Sequence, residues 1–218
     1  MMKKLLFTFF LTSLFLIVSS NTEANAASTD EELETIRESN EEYVLELTYE
    51  QAMKRIAELS GKTIEQVKLE NPKALSNLPT SNIKAPTSNI MATSSNICGK
   101  VETSTSVKAK NKSHTVNLIV IVDACRNGSF QFIDNTKIPS YVGIVGNGKI
   151  FSGDAAIISM SNTGFTYLVN GYLYDHATVS HAGTTGIAAL WTTTYTVTTA
   201  SNYYDDIYTG KKFRQLLN

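Results

Sequence analysis

The chain has 218 residues, and its 19 Lys and Arg nearly cancel its 20 Asp and Glu, for a formal net charge of −1. That length admits one ordinary domain plus a small appendage. Beyond residue 26 no segment is apolar enough to cross a bilayer as a helix, so no permanent membrane span is expected.

Lys3 and Lys4 open the chain, an apolar run extends from Leu5 to Val18, and Ala24-Asn25-Ala26 closes the segment. A basic start, a short apolar core and an A-x-A cut form the plan of a secretory signal peptide, with cleavage after Ala26. The apolar run is shorter than the ~20 residues of a spanning helix. The expected product is a secreted bacterial protein, extracellular or cell-wall associated. The charges are unevenly spread: residues 27–77 carry 12 acids and 6 bases, residues 78–218 carry 7 acids and 11 bases. An exported chain does not meet its own cell's DNA, so nucleic acid is not an expected partner. A cell-wall polymer such as teichoic acid, anionic lipid or a surface protein suits the basic half, although ordinary charge scatter on a solvated surface is the simpler reading.

Residues 27–77 read as an acidic helical region. Residues 30–42 form a candidate helix that frays. Thr48-Tyr49-Glu50-Gln51 is a capping box followed by Ala52, Met53, Ile56, Ala57 and Leu59 at near-helical spacing, and Gly61 is a stop. Thr63-Ile64-Glu65-Gln66 is a second capping box, and its helix ends at Asn71-Pro72. Across Ile56-Ala57, Gly61, Thr63, Val67 and Asn71-Pro72 this spacing resembles the central part of a LysM module, the small peptidoglycan-binding unit, with Leu45-Glu46-Leu47 standing for its first strand. The resemblance covers residues 45–72. It departs from the family pattern where Glu50-Gln51-Ala52-Met53 replaces the usual Gly-Asp-Thr-Leu, and no Gly-Gln segment marks the returning strand. A plain pair of capped helices accounts for the same residues.

Residues 78–98 hold three heptapeptides, each with an Ile before its last position and otherwise mostly Pro, Thr, Ser and Asn. Such units cannot bury a helical seam, so a flexible, extended linker is expected. The alternative is that each Ile docks in a groove on the following domain.

From residue 99 the pattern is β. Residues 101–108 and 115–125 flank a polar turn, and pairing centred between Asn111 and Lys112 sets Cys98 opposite Cys125. These two cysteines, the only ones in the chain, are expected to form a disulfide worth roughly 3–4 kcal/mol by loop entropy. Lys108, Lys110 and Lys112 alternate along the tip of this hairpin, where they would contact an anionic polymer or protect a strand edge. The segment Asp123-Ala124-Cys125-Arg126 resembles the nucleophile segment of caspase-like cysteine peptidases, which implies a nucleophilic Cys125. Residues 70–80, where that family places its base, contain no histidine.

Further along, Gly146-Asn147-Gly148 and Asn162-Thr163-Gly164 mark turns, and Asn170-Gly171 reads as the tip of a hairpin between residues 165–169 and 172–176. That hairpin would pair Tyr167 with Tyr174 and set His176 opposite Phe165. Ile187–Thr199 reads as one alternating strand, with Ile187, Ala189, Trp191, Tyr195 and Val197 on one face. His176 and His181 beside Asp175 lack a zinc spacing, and Asp205-Asp206 lacks a calcium-loop pattern, so neither a metal nor a cofactor is expected. Eight of the ten tyrosines lie between Tyr141 and Tyr208, and Tyr203, Tyr204 and Tyr208 are the candidates for an exposed binding patch. The expected fold is α+β: a small N-terminal helical pair, a linker over residues 78–98, and an all-β antiparallel sandwich or barrel over 99–218. The function expected is non-enzymatic binding of a cell-surface or cell-wall component. The alternatives are a secreted antibacterial or host-directed toxin, and a cysteine hydrolase.

Overall fold

The computed structural model describes residues 28–73, 97–127, 130–187 and 190–217. The expected signal peptide and nearly all of the heptapeptide segment lie outside these residues. Within them the chain is mostly antiparallel β with three helices.

Local sequence explains the helices. In α1 (Asp30–Ser39), α2 (Tyr49–Ser60) and α3 (Ile64–Glu70), Thr29, Thr48 and Thr63 each cap the first turn, answered by Glu32, Gln51 and Gln66. Gly61 ends α2 in the left-handed region at φ 68°, where a side chain would be disfavoured. Between α1 and α2 runs β1 (Tyr43–Leu47), which buries Tyr43, Leu45 and Leu47 in alternation.

β1 lies antiparallel to β2 (Ile97–Lys108), which pairs along its whole length with β3 (Thr115–Asn127). The far edge of β3 is shared end to end by β5 (Tyr141–Val145) and β4 (Phe130–Ile133). The second sheet contains β6 (Ile150–Met160), β7 (Gly164–Ile187), β8 (Leu190–Tyr208) and β9 (Lys212–Gln215). Neither sheet is a closed barrel.

β3 is the middle of three layers. Leu118, Val120 and Val122 face the second sheet, in a core with Phe151, Ile157, Phe165, Leu173 and Trp191. Ile119 and Ile121 point the other way and pack with Leu33, Met53, Ile56 and Val67 of the helices. A strand buried on both faces reads as a continuous apolar run, which is what Leu118–Val122 shows. The acidic helical region and the β region therefore share a core.

That junction buries a charge. Glu102 of β2 is fully inaccessible and accepts hydrogen bonds from Arg37 Nη2 (2.6 Å), Arg55 Nε (3.1 Å) and the Tyr43 hydroxyl (2.8 Å). Burial first, then the adjacent carboxylate, pushes the Tyr43 phenol well above its usual range.

Two sequence expectations fail here. Asn170-Gly171 is no turn; it lies inside β7, with Asn170 between Asp154 of β6 and Tyr208 of β8. Glycine serves close approach instead: a Cβ at Gly171 would run into the Ser152 carbonyl and the Phe151 ring. Consequently Tyr167 pairs with Ile157, and His176 pairs with Ser201 rather than Phe165. The strand expected over 187–199 is also divided, because Ile187 ends β7 and pairs with Leu190 at the start of β8.

Candidate functional site

The hairpin of β2 and β3 ends against β8, and one carboxylate joins them. Asp205, 2% exposed, accepts the backbone N–H groups of Asn111 (2.9 Å) and Lys112 (2.8 Å), the Asn111 side-chain amide (2.8 Å) and the Asp206 N–H (2.8 Å). Burial opposes its ionisation, but the hydrogen bonds from Asn111, Asp206 and Lys112 outweigh that and hold the carboxyl below the ordinary 3.8. The Lys110 N–H donates to the Asp206 carbonyl at 2.9 Å, extending the seam.

This seam sets the lysines among the tyrosines. Tyr204 carries the Lys112 ammonium 3.8 Å and the Lys149 ammonium 4.2 Å from its ring centre, with the His114 ring edge-on at 5.7 Å. Lys149 is tied to Asp175 at 2.6 Å, and the His114 ring faces the Gly146 carbonyl at 2.9 Å. On the outer face, Tyr203 stands edge-on to both Tyr172 and Tyr174, centroids 6.4 Å apart in each case. Its hydroxyl donates to Asp206 Oδ1 at 2.6 Å, which pushes the phenol up to about 12. Asp206 Oδ2 lies 3.9 Å from the Lys110 ammonium, so one carboxylate bridges tyrosine and lysine.

Of the six candidate binding residues, Lys110, Lys112, Tyr203 and Tyr204 meet in this cluster. Tyr208 lies two positions beyond Asp206 and is exposed, and Lys108 is exposed at the end of β2, outside these contacts. Sequence reading missed Asp205, Lys149, Asp175, Tyr172 and Tyr174 as members. The only local hint was the Asp205-Asp206 pair; the remaining contacts join positions far apart in the chain. No group of His, Cys, Asp and Glu suited to a metal ion occurs among the described residues.

Elsewhere a groove of about 430 Å³ is walled by the Cys98–Cys125 bond, Lys100, Arg126, Glu46 and Leu217. The disulfide forms between directly opposed residues, as the hairpin register required. With its sulfur bonded, Cys125 offers no thiolate, while Asp123 pairs with Lys100 at 2.8 Å. His114 lies just before β3 and Cys125 near its far end, eleven residues along and so roughly 36 Å away at about 3.3 Å per residue.

Comparison with models of known protein families, with curated proteins and with solved structures finds no match to this chain.

Proposed function

We propose that the chain is a secreted bacterial module that binds a negatively charged cell-wall or cell-surface polymer without transforming it. The contact is the end of the molecule where the Lys110 and Lys112 hairpin tip meets Tyr203 and Tyr204. The observation that supports this most directly is the Tyr204 ring, flanked by the ammonium groups of Lys112 and Lys149. Cations and aromatic faces fixed together suit a polymer that alternates anionic groups with sugar or alditol units. Beside it Tyr172, Tyr203 and Tyr208 expose more than half of their surface, which gives the flat apolar component such a polymer needs.

Export is supported by the leader-like first 26 residues. The Cys98–Cys125 disulfide agrees with an oxidising location, and no helix of the described residues is long and apolar enough to cross a membrane. In this reading the two sheets form a sandwich backed by helices. The order β1, α2, α3, with β2 returning antiparallel to β1, agrees with the resemblance of residues 45–72 to a LysM module. That segment would then supply a second wall contact.

Pull-down on purified cell wall tests the reading. Each lysine near an anionic surface contributes about 1 kcal/mol. Replacing Lys110 and Lys112 together with Ala should therefore weaken retention roughly tenfold to thirtyfold and flatten its salt dependence. Wild-type protein that stays wholly in solution would remove the proposal. The alternative of a toxin draws on a different part of the molecule, the distal β7–β8 hairpin.

A further inference from the structure

We propose that the distal halves of β7 and β8, residues 176–187 and 190–201, form a membrane-inserting hairpin. On a lipid bilayer it leaves the body of the fold and, with the same hairpin of further copies, lines a β-barrel pore. This inference does not depend on the wall-binding site.

Length is the first observation. β7 has 24 residues and β8 has 19, whereas strands of globular proteins usually have about 5–6. Each distal half contains 12 residues. At about 3.3 Å per residue such a strand is about 40 Å long, and a tilt near 45° lets it span the ~30 Å hydrocarbon layer.

Charge is the second. From His176 to Ser201 there is no Asp, Glu, Lys or Arg, although these make up 18% of the chain. Asp175 precedes the stretch and Asp205-Asp206 follows it, so charge resumes where the hairpin would leave the bilayer. The part of the ribbon exposed at Thr178, Ser180, Thr196 and Thr198 is where a soluble protein ordinarily carries charges that block edge-to-edge pairing. Here they are missing.

Alternation is the third. The register sets Val179 opposite Val197 and Ser180 opposite Thr196, so the strands agree on which face is apolar and which is hydroxylated. Thr178, Ser180, Thr196 and Thr198 are exposed, whereas Val179 and Val197 are half-buried. A barrel strand needs this pattern, apolar toward lipid and polar toward the lumen.

β6 pairs with β7 only as far as Tyr174, and with β8 only between Trp191 and Tyr195. Among the described residues, the ladder of 176–180 runs solely to 196–201, and a two-stranded ribbon alone is marginal in water. The distal end is fastened by Trp191 and Tyr195 packed on the core, by the Thr193 hydroxyl on the Val142 carbonyl at 2.6 Å, by the Thr194 hydroxyl on Asp154 Oδ1 at 2.6 Å, and by the Tyr195 hydroxyl accepting the Ile144 N–H at 2.9 Å, so insertion must first break these contacts. Register shifts at Leu173/Tyr174 and Thr178/Val179 provide the bends about which the ribbon would turn.

Dye release tests this, using protein that starts at Ala27 so that the apolar leader cannot itself disturb the bilayer. Vesicles of phosphatidylcholine and phosphatidylglycerol should leak with wild-type protein. Val179→Lys puts a charge on the lipid face and should cut leakage by about tenfold or more. Thr196→Glu, on the lumen face, should keep leakage while planar-bilayer currents turn more cation-selective. Cysteines at the paired positions Ala156 and Thr192 should stop leakage until the added bond is reduced, with wild-type protein in the same reductant as control. Absence of leakage with wild-type protein, or equal losses for Val179→Lys and Thr196→Glu at unchanged melting temperature, would overturn the proposal.

Discussion

Asn111 and Asp205 are 94 positions apart, yet the Asn111 backbone and side chain both donate to the same buried carboxylate. Two N–H groups of a hairpin tip that would otherwise face water are converged on one anion. The contact decides where the tip lysines lie relative to the tyrosines, and so whether Lys112 reaches the Tyr204 ring at 3.8 Å.

Replacing Asp205 with Ala should therefore release the tip without touching a proposed ligand-contacting side chain. Amide exchange at Asn111 and Lys112 should speed up, and wall retention should fall nearly as far as in the double lysine variant. The pH sign follows from the lowered carboxyl value: the stabilisation is complete above the unfolded value near 3.8 and is lost as pH falls through the lower folded one. Tip protection measured by hydrogen exchange should thus persist at pH 5 and fade in stronger acid.

Tyr203 gives the opposite sign at the alkaline end. Its neutral hydroxyl is the donor to Asp206, and its folded value of about 12 exceeds the ordinary 10.0. The contact is fully present below pH 10 and is lost as pH rises through about 12. Ultraviolet difference titration should show that Tyr203→Phe removes one tyrosine ionising near pH 12, while the buried Tyr43 still ionises late. Asp206→Asn should bring that phenol back toward 10.

Glu102 tests the junction of helices and sheet. Its removal as Glu102→Ala leaves Arg37 and Arg55 largely buried without their shared carboxylate, with side chains only 11% and 16% exposed. Breaking one partner out of a buried ionic cluster costs about 3–5 kcal/mol. Urea denaturation should show a loss of that size, and exchange protection should drop first in α1 and α2, which supply the arginines.

What was legible in the chain was local. The helix caps are complete within four residues, and the opposition of Cys98 and Cys125 follows from one turn joining two uninterrupted strands. Glu102 stayed hidden because the polar positions of β2 look like a solvent face until α1 and α2 cover them. Asp205 stayed hidden because nothing near residue 205 indicates which distant backbone it will hold. Tyr203 and Tyr204 were readable as candidates, but the bulge between Leu173 and Tyr174 opposite Asp205 and Tyr203, which leaves Tyr204 out of the ladder pairing, was not.

Asn170-Gly171 and Asn147-Gly148 are the same dipeptide in two physical roles, which substitutions can separate. Asn147 and Gly148 have φ of 50° and 86°, the left-handed pair of a tight turn between β5 and β6. Asn170 is exposed and extended inside β7, and only its neighbour Gly171 is constrained, by the Ser152 carbonyl and the Phe151 ring. Asn170→Thr should accordingly change stability by less than about 0.5 kcal/mol, as for an unremarkable surface strand position. Asn147→Val should cost about 1–2 kcal/mol, because a β-branched residue is forced into the left-handed region. Gly171→Ala should cost about 1–3 kcal/mol through overpacking against β6. Thermal melts of the three variants decide the matter: if Asn170→Thr proved as damaging as Asn147→Val, the chain would turn at residue 170, and the pairing of β7 with β6 and β8 would be wrong.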